Sequence, residues 1–323
     1  MKKSANIWLI IATFLVLIGC ILFARVMTKL NWDFSKLNTV KYESNIYELS
    51  EEFSNISINT DTANINFSFS EDDKYRVECY EEENAKHAVS AEDGTLSINL
   101  VNERSVSDYI GNIGINPGSP TITVYLPKGE YTSLFIREST GDIKISQDFN
   151  FENVDISLST GDVDFFASVT EAVIIKTTTG DICVENISAG TLDLSVSTGR
   201  IAVSGVTCSG DINIKVSTGK ASITDTQCQN IISKGTTGDF ILSNVIASGS
   251  FSIERSTGDI QFIDCDAAEI FAKTSTGDVS GSLLTDKTFI AHTNTGSIDI
   301  PQTTSGGKCE ITTDTGDIQI VIE

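Results

Sequence analysis

Proline, histidine and basic charge are all scarce in this 323-residue chain. It has four prolines, two histidines, and 22 lysines and arginines against 44 aspartates and glutamates. A formal net charge of −22 excludes nucleic acid and anionic lipid as partners for the body, because an acidic surface repels phosphate. His87 and His292 lie far apart in unlike contexts, so no nucleophile–base pair and no metal-ligand spacing can be read from them. Seven cysteines form no CxxC and no regular spacing. Cys20 falls in an apolar run, and Cys79, Cys183, Cys208, Cys228, Cys265 and Cys309 read as small buried hydrophobes. There is no phosphate-binding glycine loop. With 40% apolar and 20% charged residues, the chain has enough to bury, which excludes wholesale disorder.

Long hydrophobic runs are also rare. One stands out, from Ile7 to Ala24, preceded by Lys2 and Lys3 and followed by Arg25 and Lys29. Eighteen helical residues span about 27 Å, close to a bilayer core. Residues 1–24 therefore read as a single transmembrane anchor and 25–44 as a linker. Two alternatives stand beside the anchor: a lipoprotein signal, since "LIGC" at Leu17–Cys20 has the form of a lipobox, and a cleaved signal peptide. All three place the remainder outside the cytoplasm. Basic residues flank the run on both sides, so orientation is not fixed by them.

What the chain has in abundance is one tripeptide. The glycine of S/T-T-G falls at Gly141, Gly161, Gly180, Gly199, Gly219, Gly238, Gly258, Gly277, Gly296 and Gly316, each preceded by a threonine: Thr140, Thr160, Thr179, Thr198, Thr218, Thr237, Thr257, Thr276, Thr295 and Thr315. The intervals are 19 or 20 residues throughout, the mark of one supersecondary unit stacked on itself. Apolar residues recur seven and five positions before the glycine (Leu134 and Ile136, Val173 and Ile175, Ile270 and Ala272). They recur again two and four after it (Ile143 and Ile145, Ile182 and Val184, Ile318 and Ile320). The local period is 2 on both sides, so these are strands with one buried face.

The same residue class at the same place ten times favours in-register stacking over a hairpin meander. The chain is predicted to be all-β: a single-stranded parallel β-solenoid of about ten 19–20-residue coils over 134–323, roughly 50 Å long at the sheet spacing, after an N-terminal transmembrane helix. A further apolar position at Phe149, Val169, Ile187, Val206, Val245 and Leu284 predicts a third side, with one-residue length differences absorbed after it. Ahead of the coils, "FSNISINTDTANINFSF" (Phe53–Phe69) is a degenerate copy. Residues 45–133, with strand-like "KYRVECY", "GTLSINL" and "TITVYLP", are expected to start the solenoid and cap its first coil. The final "IQIVIE" is expected to leave an open edge at Ile318–Ile322, where end-to-end self-association could occur.

The tripeptide reads first as a corner. Glycine reaches φ > 0, the stacked threonines could relay hydrogen bonds, and the aspartate could bond a nearby backbone N–H. The aspartates are also the candidate cation ladder: Asp142, Asp162, Asp239, Asp259 and Asp278, where calcium could bridge neighbouring carboxylates. The chain lacks the nonapeptide of calcium β-rolls. Ice binding on Thr-x-Thr arrays is disfavoured, since only Thr177, Thr274, Thr293 and Thr313 supply the second threonine. A carbohydrate-active β-helix enzyme would need loops that 19-residue coils have no room for.

These TGD copies, the lead-in "ITVYLPKGEYTSLFIRESTGDI" and the anchor together resemble a bacterial family of unknown function, the β-strand-repeat proteins described as candidate adhesins. The likeness covers residues 45–323. It implies an envelope protein with a β-solenoid body, and it brings no catalytic residues and no cofactor. The expected function is a non-catalytic binding or structural module held at the membrane by residues 7–24, with a surface protein or glycan as partner. An envelope-stress accessory acting through its anchor is the alternative.

Overall fold

The computed structural model describes residues 2–33, 41–103 and 119–323; part of the 25–44 linker, residues 34–40, lies outside them. Helix α1 (Lys2–Lys29) contains one segment, Trp8–Lys29, that is long and apolar enough to cross a membrane.

Among the described residues, every element after it is a strand. Seven strands precede the repeats: β1 (Tyr42–Leu49), β2 (Asn55–Asn59), β3 (Asn64–Phe69), β4 (Tyr75–Glu82), β5 (Ala85–Glu92), β6 (Thr95–Asn102) and β7 (Thr121–Leu126). The coils start with β8 (Glu130–Thr140) and β9 (Ile143–Ile145). They continue through β10–β20 between residues 150 and 257, then β21 (Ile260–Thr276), β22 (Val279–Leu283), β23 (Lys287–Thr295), β24 (Ile298–Asp299), β25 (Gly307–Thr315) and β26 (Ile318–Ile322). Coil stacks on coil in parallel register. Ile136 pairs with Ile156, Ile156 with Ile175, and Ile175 with Leu194, at the five-before position. The chain is thus a parallel β-solenoid, and the inward columns form one continuous core from Phe53 to Ile320.

Each coil has three sides. The first corner is the TGD turn, where all ten glycines have φ between 120° and 153°. A Cβ there would lie 1.8–2.3 Å from a carbonyl oxygen of the adjoining coil, which is another corner glycine for nine of the ten and Ala63 for Gly141. Glycine is therefore required twice, by the left-handed φ and by contact with the coil below. The second corner lies six residues on. In five central coils Asn186, Gly205, Asp225, Asn244 and Asp264 all adopt φ of 49–62°, the conformation that Asn, Asp and Gly tolerate best. The third side begins at the apolar position expected there. Phe149, Val169, Ile187, Val206 and Val245 are buried, whereas Leu284 is exposed. Register shifts after Phe151, Val169 and Ala247 absorb the difference between 19 and 20 residues.

Both ends depart from sequence order. Strand β25 pairs with β21 on one side and β23 on the other, and β26 lies between β22 and β24. The Gly316 coil is thus inserted between the Gly277 and Gly296 coils. The expected open edge at Ile318–Ile322 is not an edge; the exposed end is β23 and β24, with Ile290 and Ile298 about half exposed. The inserted coil buries Cys309, Ile311, Ile318 and Ile320, whereas the outer coil leaves Phe289, Ala291 and Ile300 partly buried and Ile298 exposed; the last coil thus has both faces covered where an open end would leave one bare.

The N-terminal end mirrors this. The degenerate coil β2–β3 is sandwiched between β8–β9 and an outer coil, β6–β7. Antiparallel strands then close the end: β4 on β7, β1 on β4 and β5 on β6.

Candidate functional site

The corner ridge comes first, because the candidate cation ladder lies on it. Each aspartate Oδ1 accepts the backbone N–H of the matching residue one coil along. Asp162 N–H reaches Asp142 at 3.0 Å, Asp181 reaches Asp162 at 2.7 Å, Asp259 reaches Asp239 at 3.1 Å and Asp278 reaches Asp259 at 2.8 Å. Asp317 N–H reaches Asp278 at 2.8 Å, and Asn64 plays the same part for Asp142 in the degenerate coil. The bond is between coils and not local to the turn. A carboxylate accepting an amide N–H is a strong, charge-assisted bond, so the column fastens one coil to the next. Arg200 and Lys220 interrupt it. The Arg200 guanidinium grips Asp181 Oδ2 at 3.1 and 2.9 Å, relieving the like-charge row where the ladder stops. Among the described residues these aspartates bring no three ligand atoms within 4.8 Å of one another.

The corner threonines are exposed. Among the described residues no hydrogen bond joins one of their hydroxyls to the next; the coils are linked there by glycine N–H to threonine carbonyl bonds, such as Gly219 to Thr237 at 2.8 Å. The threonines two positions earlier turn inward instead. Thr177, Thr274 and Thr313 are buried, and the hydroxyls of Thr274, Thr293 and Thr313 donate to corner glycine carbonyls of the adjoining coil at 2.9–3.0 Å. The two threonines of a Thr-x-Thr pair thus lie on opposite sides of the sheet, which removes the flat array that ice binding needs.

That inward column also holds two charged residues. Glu138 is buried where other coils carry Leu158, Val196 or Val216. Its Oε1 accepts the Ala63 N–H at 3.0 Å, and its Oε2 has no partner. Burial, with lesser contributions from Asp142 and Asp61, pushes its carboxyl up to about 8. Arg255 donates to Ser233 Oγ at 2.9 Å and lies over the Phe240 ring at 4.9 Å. Burial lowers its guanidinium to about 10. Gly235 leaves the space it fills, since a Cβ there would meet the guanidinium.

The capping strands hold a cluster that reading the sequence missed. His87 Nδ1 lies 2.7 Å from Glu81 Oε2 and Nε2 lies 2.8 Å from Thr60 Oγ1, with Cys79 beside them. Val77, Cys79 and Glu81 share an inward face by period 2, but only the β4–β5 turn returns His87 to them. Sγ, carboxylate and imidazole lie within 4.8 Å of one another. Burial alone would raise the Glu81 carboxyl; bonds from the His87 ring, Asn45 and the His87 amide hold it below its ordinary value. Both its oxygens are occupied, Oε1 by Asn45 at 2.7 Å and Oε2 by the His87 N–H at 2.6 Å, and the Cys79 thiol is pushed up to about 12. The order hydroxyl–imidazole–carboxylate is that of a nucleophilic triad, which the sequence did not suggest. Thr60 is buried here, and every donor and acceptor of Glu81 and the ring is already matched. The cluster locks the cap to the degenerate coil.

The exposed surface of the long strands is regular. Six, four and two residues before the glycine, side chains point outward in three parallel columns. The middle column reads, coil by coil, Arg137, Ser157, Lys176, Ser195, Lys215, Lys234, Glu254, Lys273, Thr312 and His292. Shallow grooves lie elsewhere. One, of about 580 Å³, runs past Phe151, Val169 and Ala189. Another, of about 460 Å³, runs past Asp164, Asp181 and Arg200.

A profile described as Toastrack DUF4097 matches residues 53–215 and 207–323. The chain belongs to the Toastrack DUF4097 family. No curated protein matches it. Solved structures similar to this Toastrack chain include a candidate adhesin from Bacteroides fragilis, at 16% identity and TM-score 0.41, covering 87% of this chain and 97% of that one. A candidate adhesin from Parabacteroides merdae is 12% identical with TM-score 0.42, covering 88% and 98%. A protein from Parabacteroides distasonis described as a candidate lipid-binding protein is 12% identical with TM-score 0.39, also covering 88% and 98%.

Proposed function

We propose that this Toastrack chain is a non-catalytic binding module, anchored in the membrane by α1 and displayed outside the cytoplasm. The observation that carries the reading is the unbroken outward face of the long strands. Ten in-register coils present three outward columns of exposed or partly exposed side chains with no loop rising between them. Such a face is rigid, because each coil is tied to the next by a glycine bond at the corner and, where an aspartate follows the glycine, by an aspartate bond as well. Recognition on it costs little ordering of the protein. Chemistry finds no comparable support: the hydroxyl–imidazole–carboxylate chain is sealed, and desolvation raises the thiols of Cys79, Cys183, Cys208, Cys228, Cys265 and Cys309, which disfavours thiolate. An apolar span of 22 residues is long enough for one crossing.

The test is a binding screen of the full chain in detergent micelles against glycan and protein panels, with and without calcium. Selective retention of a ligand class is the expected result. A folded chain that retains nothing from either panel overturns the proposal.

A further inference from the structure

The molecule carries a charge of −22, yet its scarce basic residues are not scattered. Eleven lysines and arginines follow Leu134, and five of them, Arg137, Lys176, Lys215, Lys234 and Lys273, share the middle outward column. The four lysines are exposed. Arg137 is engaged by Asp155 at 2.8 Å, and Lys234 lies 3.6 Å from Glu254 in an exposed pair that is worth little. Glu254 stands between Lys234 and Lys273 in the same column, and Asp155, Asp193 and Glu310 stand in the neighbouring one.

We propose, resting on the binding-module reading above, that this column is the docking surface for a linear acidic polysaccharide of the uronate type. Charge complementarity picks the sign of the partner, since a cationic stripe on an acidic molecule focuses anions to itself and to little else. Spacing picks the form. Lys176, Lys215, Lys234 and Lys273 stand on one straight line, successive lysines two, one and two coils apart, or roughly 9.6, 4.8 and 9.6 Å at the sheet spacing, with Glu254 between the last two. A linear chain with a carboxylate on every sugar can present several of them along such a line. The flanking columns suit sugar rather than bare phosphate. Ile174, Ile232 and Phe271 offer partly exposed apolar surface on one side of the lysines, and serines and threonines such as Thr178, Ser217 and Thr236 offer hydroxyls on the other.

The experiment measures binding of oligogalacturonate to the full chain in detergent micelles. Three proteins are compared: the wild type, K176E/K215E/K234E, and K74E/K144E/K220E, which makes the same change in net charge outside this face. The neutral K176Q/K215Q/K234Q serves should the charge reversal fail to fold. The expected result is binding that weakens as salt shortens the screening length from about 10 Å at 0.1 M to about 3 Å at 1 M. The column variants should lose about ten-fold or more and the control about two-fold or less, as exposed charge contacts each contribute modestly. Fully methyl-esterified oligogalacturonate should not bind. Equal loss in column and control variants overturns the proposal, as does inorganic polyphosphate competing better than the uronate. Retention of only neutral glycans in the wider screen would refute the column assignment while leaving the binding-module reading intact.

Discussion

Replacing Glu138 by glutamine should make the protein insensitive to a pH range in which the wild type loses stability. The carboxyl is buried at the junction of the degenerate coil and the first TGD coil, and it is pushed from its ordinary 4.5 up to about 8. A carboxyl whose folded value is raised binds a proton more tightly when folded. Its contribution is therefore fully present below about 4.5 and is lost as pH rises through about 8. Each tenfold gain in proton affinity is worth about 1.4 kcal/mol, so the ceiling is about 5 kcal/mol, with about 2 kcal/mol lost by pH 6 and about 4 by pH 8. Water penetration will lower these figures.

Glutamine keeps an oxygen for the Ala63 N–H, which Oε1 accepts at 3.0 Å, and it cannot ionise. Chemical unfolding of the full chain followed by circular dichroism, from pH 4.5 to 8.5, should give curves for wild type and Glu138→Gln that meet at the acid end and diverge above it. Repeat stacks can open coil by coil, so amide exchange at Ala63 and Thr140, both bonded across this junction, should show the same divergence locally. Parallel curves across the whole range would show that the burial argument is wrong.

Gly219→Ala should cost about 4 kcal/mol or more by thermal unfolding, because the new Cβ would stand 1.8 Å from the Gly199 carbonyl at φ +135°; Gly129→Ala, whose nearest neighbour is 3.9 Å away, should change stability little. Arg255→Met should be neutral or stabilising, since it removes a buried guanidinium with an unpartnered Nε while keeping much of the volume, and marked destabilisation would refute this. Asp278→Ala should lose about 1 kcal/mol, and Asp278→Asn less, because only the asparagine retains an acceptor for the Asp317 amide; calcium should not rescue the alanine variant. His87→Ala should destabilise the cap by about 3 kcal/mol or more, leaving Glu81 buried without its principal donor, as read by exchange of the β5 and β6 amides.

The central coils were legible because their information is repeated. A column of Ile, Leu and Val at fixed offsets from Gly161, Gly180 and Gly199 leaves one register that buries them all. The third side and the place where 19 and 20 residues are reconciled followed from the same alignment. So, in principle, did the second corner, since Asn186, Gly205, Asp225, Asn244 and Asp264 share one offset and one conformational tolerance. The ends were not legible. Periodicity states that coils stack but not in what order, because each coil carries nearly the same inward pattern. The capping strands occur once, so no column averages out the noise; the lock of Thr60, Glu81 and His87 depends on one turn. The part played by the ladder aspartates was half visible. Their recurrence was plain, but a bond to the next coil and a bond within the turn produce the same sequence.

Register and specificity are separated in this architecture, and that separation bears on function. Glycine at each corner and, where it occurs, the aspartate after it fix the height of one coil over the next through backbone bonds that no outward side chain takes part in. The inward columns fix the core. What remains, six, four and two places before the glycine, carries few bonds between coils, among them Arg137 to Asp155 and Lys234 to Glu254. The middle column accordingly holds Ser, Lys, Glu, Thr and His without disturbing pairing on either side. A position under no structural constraint should show random charge in proportion to composition. Here, in a chain with twice as many acids as bases, it shows bases in excess. Such an excess, on a surface that carries little of the fold, supports placing the proposed recognition face there independently of any groove.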